Sequence, residues 1–145
     1  MDENLELLEY IYKTANMGHS SCENLLDALK EKDNKIKKLL EEINKEYEHF
    51  EKESSKLLKK YKTEPKPSSI MADMMSKMGI KKEVKNDNSD SSMASMLIEG
   101  LTMGNLKLEK KITNFEKEVD KKILNIAEEF KKFGEKYIEK LKQYL

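Results

Sequence analysis

The chain has no arginine and no tryptophan, and its 28 basic side chains are balanced by 28 acidic ones. Without arginine it lacks the planar group that binds phosphate or guanine through two hydrogen bonds. With no net charge, it has no overall field that would attract nucleic acid or anionic lipid. These absences predict that nucleic acid is not a partner.

Cysteine and long apolar runs are also scarce. Cys22 is the only cysteine, so no disulfide can form within the chain, as is usual in reducing compartments. No apolar run reaches the length of a transmembrane helix, which predicts that the chain has no integral membrane segment. The start, "MDENLELLEY", lacks the basic and apolar regions of a secretory signal. We therefore expect a cytoplasmic protein.

Helix breakers are few, because the 145 residues include only 5 glycines and 2 prolines, and both prolines lie in "KTEPKPSS". Elsewhere, apolar side chains alternate at spacings of three and four, which predicts amphipathic helices. A polar break, "KEKDN", separates two such stripes and predicts an antiparallel hairpin over about residues 4–62. The first stripe is Leu5, Leu8, Tyr12, Ala15, His19, Cys22, Leu26 and Leu29; the second is Ile36, Leu40, Ile43, Tyr47, Phe50, Ser54, Leu57 and Tyr61.

Both stripes recur later in the chain, with an offset of 86 residues for the first and 87 for the second, and the dipeptide "MG" recurs at 17–18 and 103–104. This recurrence predicts a duplicated hairpin over about residues 91–145. Two hairpins can bury each other's stripes, so we predict an all-α fold with a single four-helix-bundle domain over residues 1–145. The second pair of stripes is Ser91, Ala94, Ile98, Leu101, Asn105, Leu108, Ile112 and Phe115, then Ile123, Ala127, Phe130, Gly134, Tyr137, Leu141 and Tyr144.

The hairpins are joined by a connection over about residues 63–90, long enough to cross from one end of the bundle to the other. It contains a short Met-rich helix in "SSIMADMMSKMGI", with apolar residues Ile70, Met71, Met74, Met75 and Met78. We predict that this helix caps the end of the bundle; the alternative is a partner-binding surface, since flexible methionine side chains suit either role. The following run, "KKEVKNDNSDSS", is predicted to be polar and mobile.

Two helical hairpins joined by a long crossover resemble the ferritin-like fold. The run "SKMGIKKEVKNDNSDSSMASMLIEGLTMG" also resembles small four-helix-bundle proteins of unknown function from low-GC Gram-positive bacteria. The resemblance covers nearly the whole chain, and its motifs are structural rather than chemical. It implies a fold and a bacterial origin. Through the ferritin-like families it also implies that di-iron chemistry should be examined residue by residue.

The stretch "EYEHF" contains Glu46 and His49 at the Glu-x-x-His spacing that di-iron bundles use on two of their four helices. At 100° per residue, Glu46 lies about 90° and His49 about 130° from the centre of the apolar stripe. Their counterparts in the second half, Phe133 and Lys136, do not repeat the motif. We therefore predict a solvated charged face here; an iron or manganese site at Glu46 and His49 is the alternative.

His19 and its counterpart Asn105 both fall on apolar stripes. A buried polar layer that fixes the register of the helices is the expected role, as in coiled coils with one buried polar residue. The alternative is a small ligand or metal pocket that also includes Cys22, although zinc requires three or four ligands.

No set of residues in the sequence points to catalysis. We expect a non-enzymatic protein without a cofactor that acts through contacts with a protein partner or with further copies of itself. One alternative is a ferritin-like protein that stores or oxidises iron, and another is a membrane-surface or stress-associated protein that uses the Met-rich segment.

Overall fold

The computed structural model describes residues 2–145, apart from the side chain of Ile70; Met1 and that side chain lie outside the described part. Five α-helices pack as a bundle, and the described residues contain no β-strand. This confirms the predicted all-α class. The helices are α1 (Glu3–Ala28), α2 (Lys37–Lys60), α3 (Ile70–Asn86), α4 (Asp90–Phe115) and α5 (Lys121–Leu141), and a short 3₁₀ turn, Lys142–Tyr144, follows α5.

Side-chain hydrogen bonds between neighbouring helices show their directions. Asn16 of α1 donates to Glu51 of α2 at 2.7 Å, and His19 contacts Asn44 at 2.8 Å, so these two helices are antiparallel. Helix α4 is also antiparallel to α1, because the Tyr10 hydroxyl donates to the Gly104 carbonyl at 2.7 Å and Lys111 donates to Glu6 at 3.2 Å.

Helix α5 packs against both α2 and α4. Its aromatic side chains meet those of α2, with Tyr47 and Phe133 ring centroids 5.0 Å apart and Phe50 and Phe130 centroids 4.8 Å apart. These pairs run in opposite directions along the two helices, so α2 and α5 are antiparallel. Helix α5 is also antiparallel to α4, because Glu109 of α4 pairs with Lys131 while Asn105 packs on Gly134. Helices α2 and α4 therefore point the same way. The segment between them therefore travels from one end of the bundle to the other.

The buried positions recur with nearly the offsets expected from the sequence. Leu8, Ala15 and Cys22 on α1 are buried, and so are Ala94, Leu101 and Leu108 on α4, each 86 residues further on. Leu8 and Ala94 both have 0% exposure, as predicted. The predicted stripes are otherwise only partly right, because Leu7, Ile11 and Leu25 are buried outside them and Ser91 is exposed. On α2 and α5 the buried positions recur 87 residues apart, as Ile36, Leu39, Leu40, Ile43 and Phe50, then Ile123, Ile126, Ala127, Phe130 and Tyr137.

Backbone N–H groups at the starts of α2 and α5 donate hydrogen bonds to side chains of the opposite half of the chain. Neither helix has a side-chain cap of its own. At the start of α2, the Asp90 carboxylate of α4 accepts from the backbone N–H groups of Lys35, at 3.2 Å, and Ile36, at 3.4 Å. At the start of α5, Asn4 of α1 accepts from the Asp120 N–H at 2.8 Å. These two contacts are reciprocal, since position 90 is position 4 shifted by 86 residues.

Helix α3 differs from both predictions made for its segment. It runs parallel to α1, because Ser68 donates to Asn16 at 3.1 Å and Ser76 contacts Ser21 at 3.3 Å. It therefore lies on the side of the bundle, and the predicted cap over the bundle end is wrong. The helix also continues to Asn86, so the polar run after the methionines is largely ordered. Two inward side chains one turn apart, Ile80 and Val84, are each 8% exposed, and their burial holds this turn in place.

Candidate functional site

A groove of about 500 Å³ lies between α1, α3 and α4, with α2 as its floor. Its walls are mainly apolar, and its volume is within the usual range for small-molecule sites. One side opens to solvent, because Met17 and Met103 at the rim are 40% and 59% exposed. The lining residues are Tyr10, Lys13, Thr14, Met17, Gly18, Ser21, Cys22, Leu25, Ile43, Tyr47, Ser76, Ile80, Met96, Leu97, Gly100, Leu101, Met103, Gly104 and Lys107.

The floor is the ring of Tyr47, which lies directly against the backbone of α1 at Gly18. A Cβ atom at position 18 would stand only 2.6 Å from the Tyr47 Cδ1 atom, closer than any real contact of that kind. Phe133 holds the other side of the ring through an edge contact. The ring therefore cannot retreat easily, and the absence of a side chain at Gly18 is what allows α1 and α2 to approach here.

The wall formed by α4 is open because two glycines one turn apart face the groove. A Cβ atom added at Gly100 would meet nothing within 4 Å, and one at Gly104 would meet only the Thr14 methyl, at 3.6 Å. Larger side chains would fit at both positions without displacing the core. The glycines therefore keep space free rather than permit close packing.

One end of the groove is basic. Lys13 and Lys107 line it there, and neither takes part in a salt bridge with the described part of the chain. Lys111, one turn beyond Lys107, differs because it pairs with Glu6 at 3.2 Å and lies 5.4 Å from the centre of the Tyr10 ring. The ammonium groups of Lys13 and Lys107 thus remain available to an anion.

The opposite end is apolar and lies under α3. Ile80 of α3 and Leu25 of α1 are 8% and 1% exposed, and both line the groove. The Ser21–Ser76 contact at 3.3 Å holds α3 beside this end. The groove is therefore polarised, with positive charge near Lys13 and an apolar end beneath α3.

The groove has no activated nucleophile among its lining side chains. Burial raises the pKa of the Cys22 thiol to about 12, and the Glu23 carboxylate adds to the effect. Burial also raises the pKa of Tyr47 above its ordinary value. Both groups stay protonated at neutral pH, and a protonated thiol is a poor nucleophile. The arrangement suits binding rather than covalent chemistry.

A second surface feature is a methionine stripe, which consists of Met71, Met74, Met75 and Met78 on α3. Their exposures are 60–73%. The spacing of i, i+3, i+4 and i+7 places them on one face of the helix. That face points away from the bundle, because Ile80 and Val84 on the other side of α3 are buried.

Glu46 and His49 do not meet a set of further metal ligands. Glu46 is half-buried near Tyr137, whose pKa is raised by burial and then by the carboxylates of Glu42 and Glu46. His49 is exposed, with its ring 5.2 Å from that of Phe50. Within residues 2–145, no three His, Cys, Asp or Glu side chains are grouped closely enough to hold a metal ion.

His19 and Asn105 are both half-buried, and each contacts a different neighbour. His19 Nδ1 lies 2.8 Å from the Asn44 side-chain oxygen, across the α1–α2 pair. Asn105 donates to the Lys131 carbonyl at 3.0 Å, across the α4–α5 pair. Asn105 also packs on Gly134, where an added Cβ atom would lie 2.6 Å from its amide nitrogen. Whether the two residues act together as a register-fixing layer stays a prediction.

The groove was not predicted from the sequence. The only local signal was the pair of glycines at 100 and 104, one turn apart on a predicted helix. The lysines at 13 and 107 carry no motif, and they line one groove only because α1 and α4 pack against each other.

The chain matches no family model, no curated protein and no solved structure. None of the helices described for residues 2–145 has the length and apolar character needed to cross a membrane.

Proposed function

We propose that this is a non-enzymatic helical-bundle protein that acts through protein contacts, and that the methionine stripe of α3 binds an amphipathic helix of a partner protein. The observation that carries the proposal is the exposure of four methionines, 60–73% each, on the outer face of α3. Methionine adapts its shape to different apolar partners, and amphipathic helices bind such surfaces through residues at the same spacing.

Charge next to the stripe favours one type of partner. At 100° per residue, Lys82 and Lys85 lie within about 30° of the centre of the methionine stripe. Both are exposed and lie beyond the last methionine. The outer face of α3 is thus apolar in its first half and basic in its second. A helix whose apolar face is followed by acidic residues complements this surface.

Two designed helical peptides test the proposal. Both carry leucine at i, i+3, i+4 and i+7; one has flanking glutamates and the other flanking lysines. Fluorescence anisotropy should show tighter binding of the acidic peptide, and Met74→Gln with Met75→Gln should weaken it about tenfold or more, as expected for central apolar contacts. Leu106→Gln on α4 is the control, because Leu106 is 57% exposed and lies outside the stripe.

Other results would change or overturn the proposal. Equal affinity for both peptides, or an equal loss with Leu106→Gln, would contradict it. Light scattering of the same variants tests self-association, the other form of protein contact, which would appear as a dimer that dissociates when the stripe is changed. A third outcome would assign the stripe to a membrane surface instead. In that case neither peptide binds, the protein floats with anionic vesicles, and the Met74→Gln and Met75→Gln variant no longer does so.

We also propose that α1–α2 and α4–α5 are duplicated hairpins joined by a crossover, in a ferritin-like arrangement. Three observations support this: the recurrence of buried positions at 86 and 87 residues, the common direction of α2 and α4, and the reciprocal contacts of Asn4 and Asp90. An experimental structure in which the two hairpins fail to superpose in this register would contradict the proposal.

A further inference from the structure

We propose that the groove between α1, α3 and α4 is a binding site for a long-chain fatty acid, held with its carboxylate at Lys13 and Lys107 and its alkyl chain under α3. This site is separate from the methionine stripe on the outer face of α3. It is argued from the shape of the groove, from its polarity and from the distribution of charge along it.

The shape selects a single extended chain. From Lys13 to Leu25 the groove follows twelve residues of α1, which is roughly 18 Å at 1.5 Å per residue. Near the basic end, the Tyr10 hydroxyl donates to the Gly104 carbonyl and ties α1 to α4 across 2.7 Å. A partner helix, about 10 Å wide, cannot enter between helices held in this way. A flexible alkyl chain can pass over Gly100 and Gly104, where no side chain occupies the space.

The polarity of the groove indicates the chemistry of the two ends of the ligand, one apolar and one anionic. The end under α3 is lined by Leu25, Ile80 and Leu97, which exclude water and favour an alkyl chain. At the other end, Lys13 and Lys107 are exposed and are not engaged in any salt bridge with the described residues. Ammonium groups on both α1 and α4 beside an apolar channel are suited to a ligand with one carboxylate and one alkyl chain.

The Tyr47 hydroxyl is an additional polar group at the floor. The Tyr47 side chain is largely buried, and its hydroxyl makes no hydrogen bond with another side chain or backbone group of residues 2–145. It is nevertheless not an isolated buried atom, so it reaches the open space of the groove. A saturated chain has to cross this point, and binding should therefore be weaker than the apolar area alone predicts.

A displacement assay tests the site. Saturated fatty acids from octanoate to palmitate, each below its micelle concentration, compete with a fluorescent fatty-acid probe. Each added methylene should tighten binding up to about fourfold until the groove is full, since this is the effect of burying one methylene. Alcohols of the same length should bind more weakly. Lys13→Gln with Lys107→Gln should weaken fatty-acid binding roughly two- to tenfold, as expected for two exposed ion pairs, and leave the alcohols unchanged.

Matched control variants show whether a loss of affinity comes from the lysine charges and the free space of the groove or from any comparable substitution elsewhere. Lys38→Gln with Lys45→Gln makes the same change in charge on exposed positions of α2 outside the groove and should have no effect. Gly100→Leu fills the groove, and Gly79→Leu on α3 places the same side chain outside it; an added Cβ meets nothing within 4 Å at either position. Gly100→Leu should lower affinity at least about tenfold, the effect of losing two buried methylenes, and Gly79→Leu should not.

Affinity that does not depend on chain length would overturn the proposal, and so would equal losses with Gly100→Leu and Gly79→Leu. Thermal unfolding of each variant shows whether it is folded, and leucine is expected to be tolerated because it favours helices more than glycine does. The peptide assay tests residues of the methionine stripe, none of which lines the groove. Failure of fatty-acid binding therefore leaves the proposed protein contact untouched, and the reverse also holds.

Discussion

Gly18 and Gly134 show how single residues fix the approach of helices in each hairpin. In the first hairpin the glycine lies on α1 and the large partner, Tyr47, lies on α2. In the second hairpin the glycine lies on α5 and the partner, Asn105, lies on α4. The glycine thus lies on the first helix of the first hairpin but on the second helix of the second hairpin, and its larger partner lies on the other helix in each case. The glycines of the repeated dipeptide "MG" therefore have different roles, because a side chain would have space at Gly104 but not at Gly18.

Alanine substitutions at the repeated glycines should have opposite effects. Gly18→Ala should lower the free energy of unfolding by about 1–3 kcal/mol, the usual cost of overpacking, because the new methyl meets the Tyr47 ring. Gly104→Ala should be neutral or raise it by up to about 1 kcal/mol, the difference in helix propensity. Denaturant titrations of the two variants make the comparison. Equal destabilisation would show that the tight contact at Gly18 is not what limits substitution there.

Substitution of the two histidines tests the metal hypothesis together with their positions. His49→Ala should change the free energy of unfolding by no more than about 0.5 kcal/mol, as is usual for exposed residues. His19→Ala should cost about 1 kcal/mol, because it removes the partner of Asn44 at 2.8 Å. Elemental analysis of purified protein should find no stoichiometric iron, manganese or zinc. Bound metal that is lost in His49→Ala would instead favour the ferritin-like metal-binding alternative.

At the scale of elements, α3 should be the least stable helix. It buries only Ile80 and Val84 among its described side chains, whereas α1 buries six residues and α2 buries seven. Amides of residues 71–86 should therefore exchange with solvent faster than those of α1. Val84→Ala should speed this exchange, because it removes one of the two buried anchors. Met78→Ala, at a position 68% exposed, is the matched control and should change it little.

Limited proteolysis checks the same helix by another route. The sequence predicted that the polar run from Lys81 onward would be mobile, and a mobile run would be cut first. With Val84 buried and the helix continuing to Asn86, we now expect the earliest cuts at residues 62–67, which lie outside any helix and include exposed lysines. First cuts at Lys81 or Lys82 would show that the end of α3 opens more readily than its burial suggests.

The four long helices could be predicted because each carries an apolar stripe over about five turns or more. Leu8, Ile43 and Phe130 were all placed on inward faces by spacing alone, and all are buried. The end of α3 could not be predicted in this way, because two apolar residues in a lysine-rich run are too few to show a period. The groove depends on which helices become neighbours, and the periodicity of a single helix contains no such information.

At the scale of the whole molecule, the reciprocal contacts join the two halves of the chain at both ends. Asp90→Ala should lower the free energy of unfolding by about 0.5–1.5 kcal/mol, the usual net contribution of a hydrogen bond, because the N–H groups of Lys35 and Ile36 just before α2 lose their acceptor. Asn4→Ala should act similarly on α5. Asp27→Ala is the control, since its carboxylate makes only an exposed ion pair with Lys30. A loss equal to that of the control would show that these contacts do not stabilise the helix starts.

The reciprocal contacts also have a consequence for the order in which the chain folds during synthesis. The first hairpin forms from residues close in sequence and can collapse as soon as it leaves the ribosome. The acceptor for the start of α2 is 55 residues away, at Asp90, and has not yet been made at that moment. The bond from Asp120 to Asn4 spans 116 residues and forms later still. We therefore expect the first hairpin to have a frayed start of α2 and an uncovered apolar stripe until the second half is made, and to be most prone to aggregation in that interval.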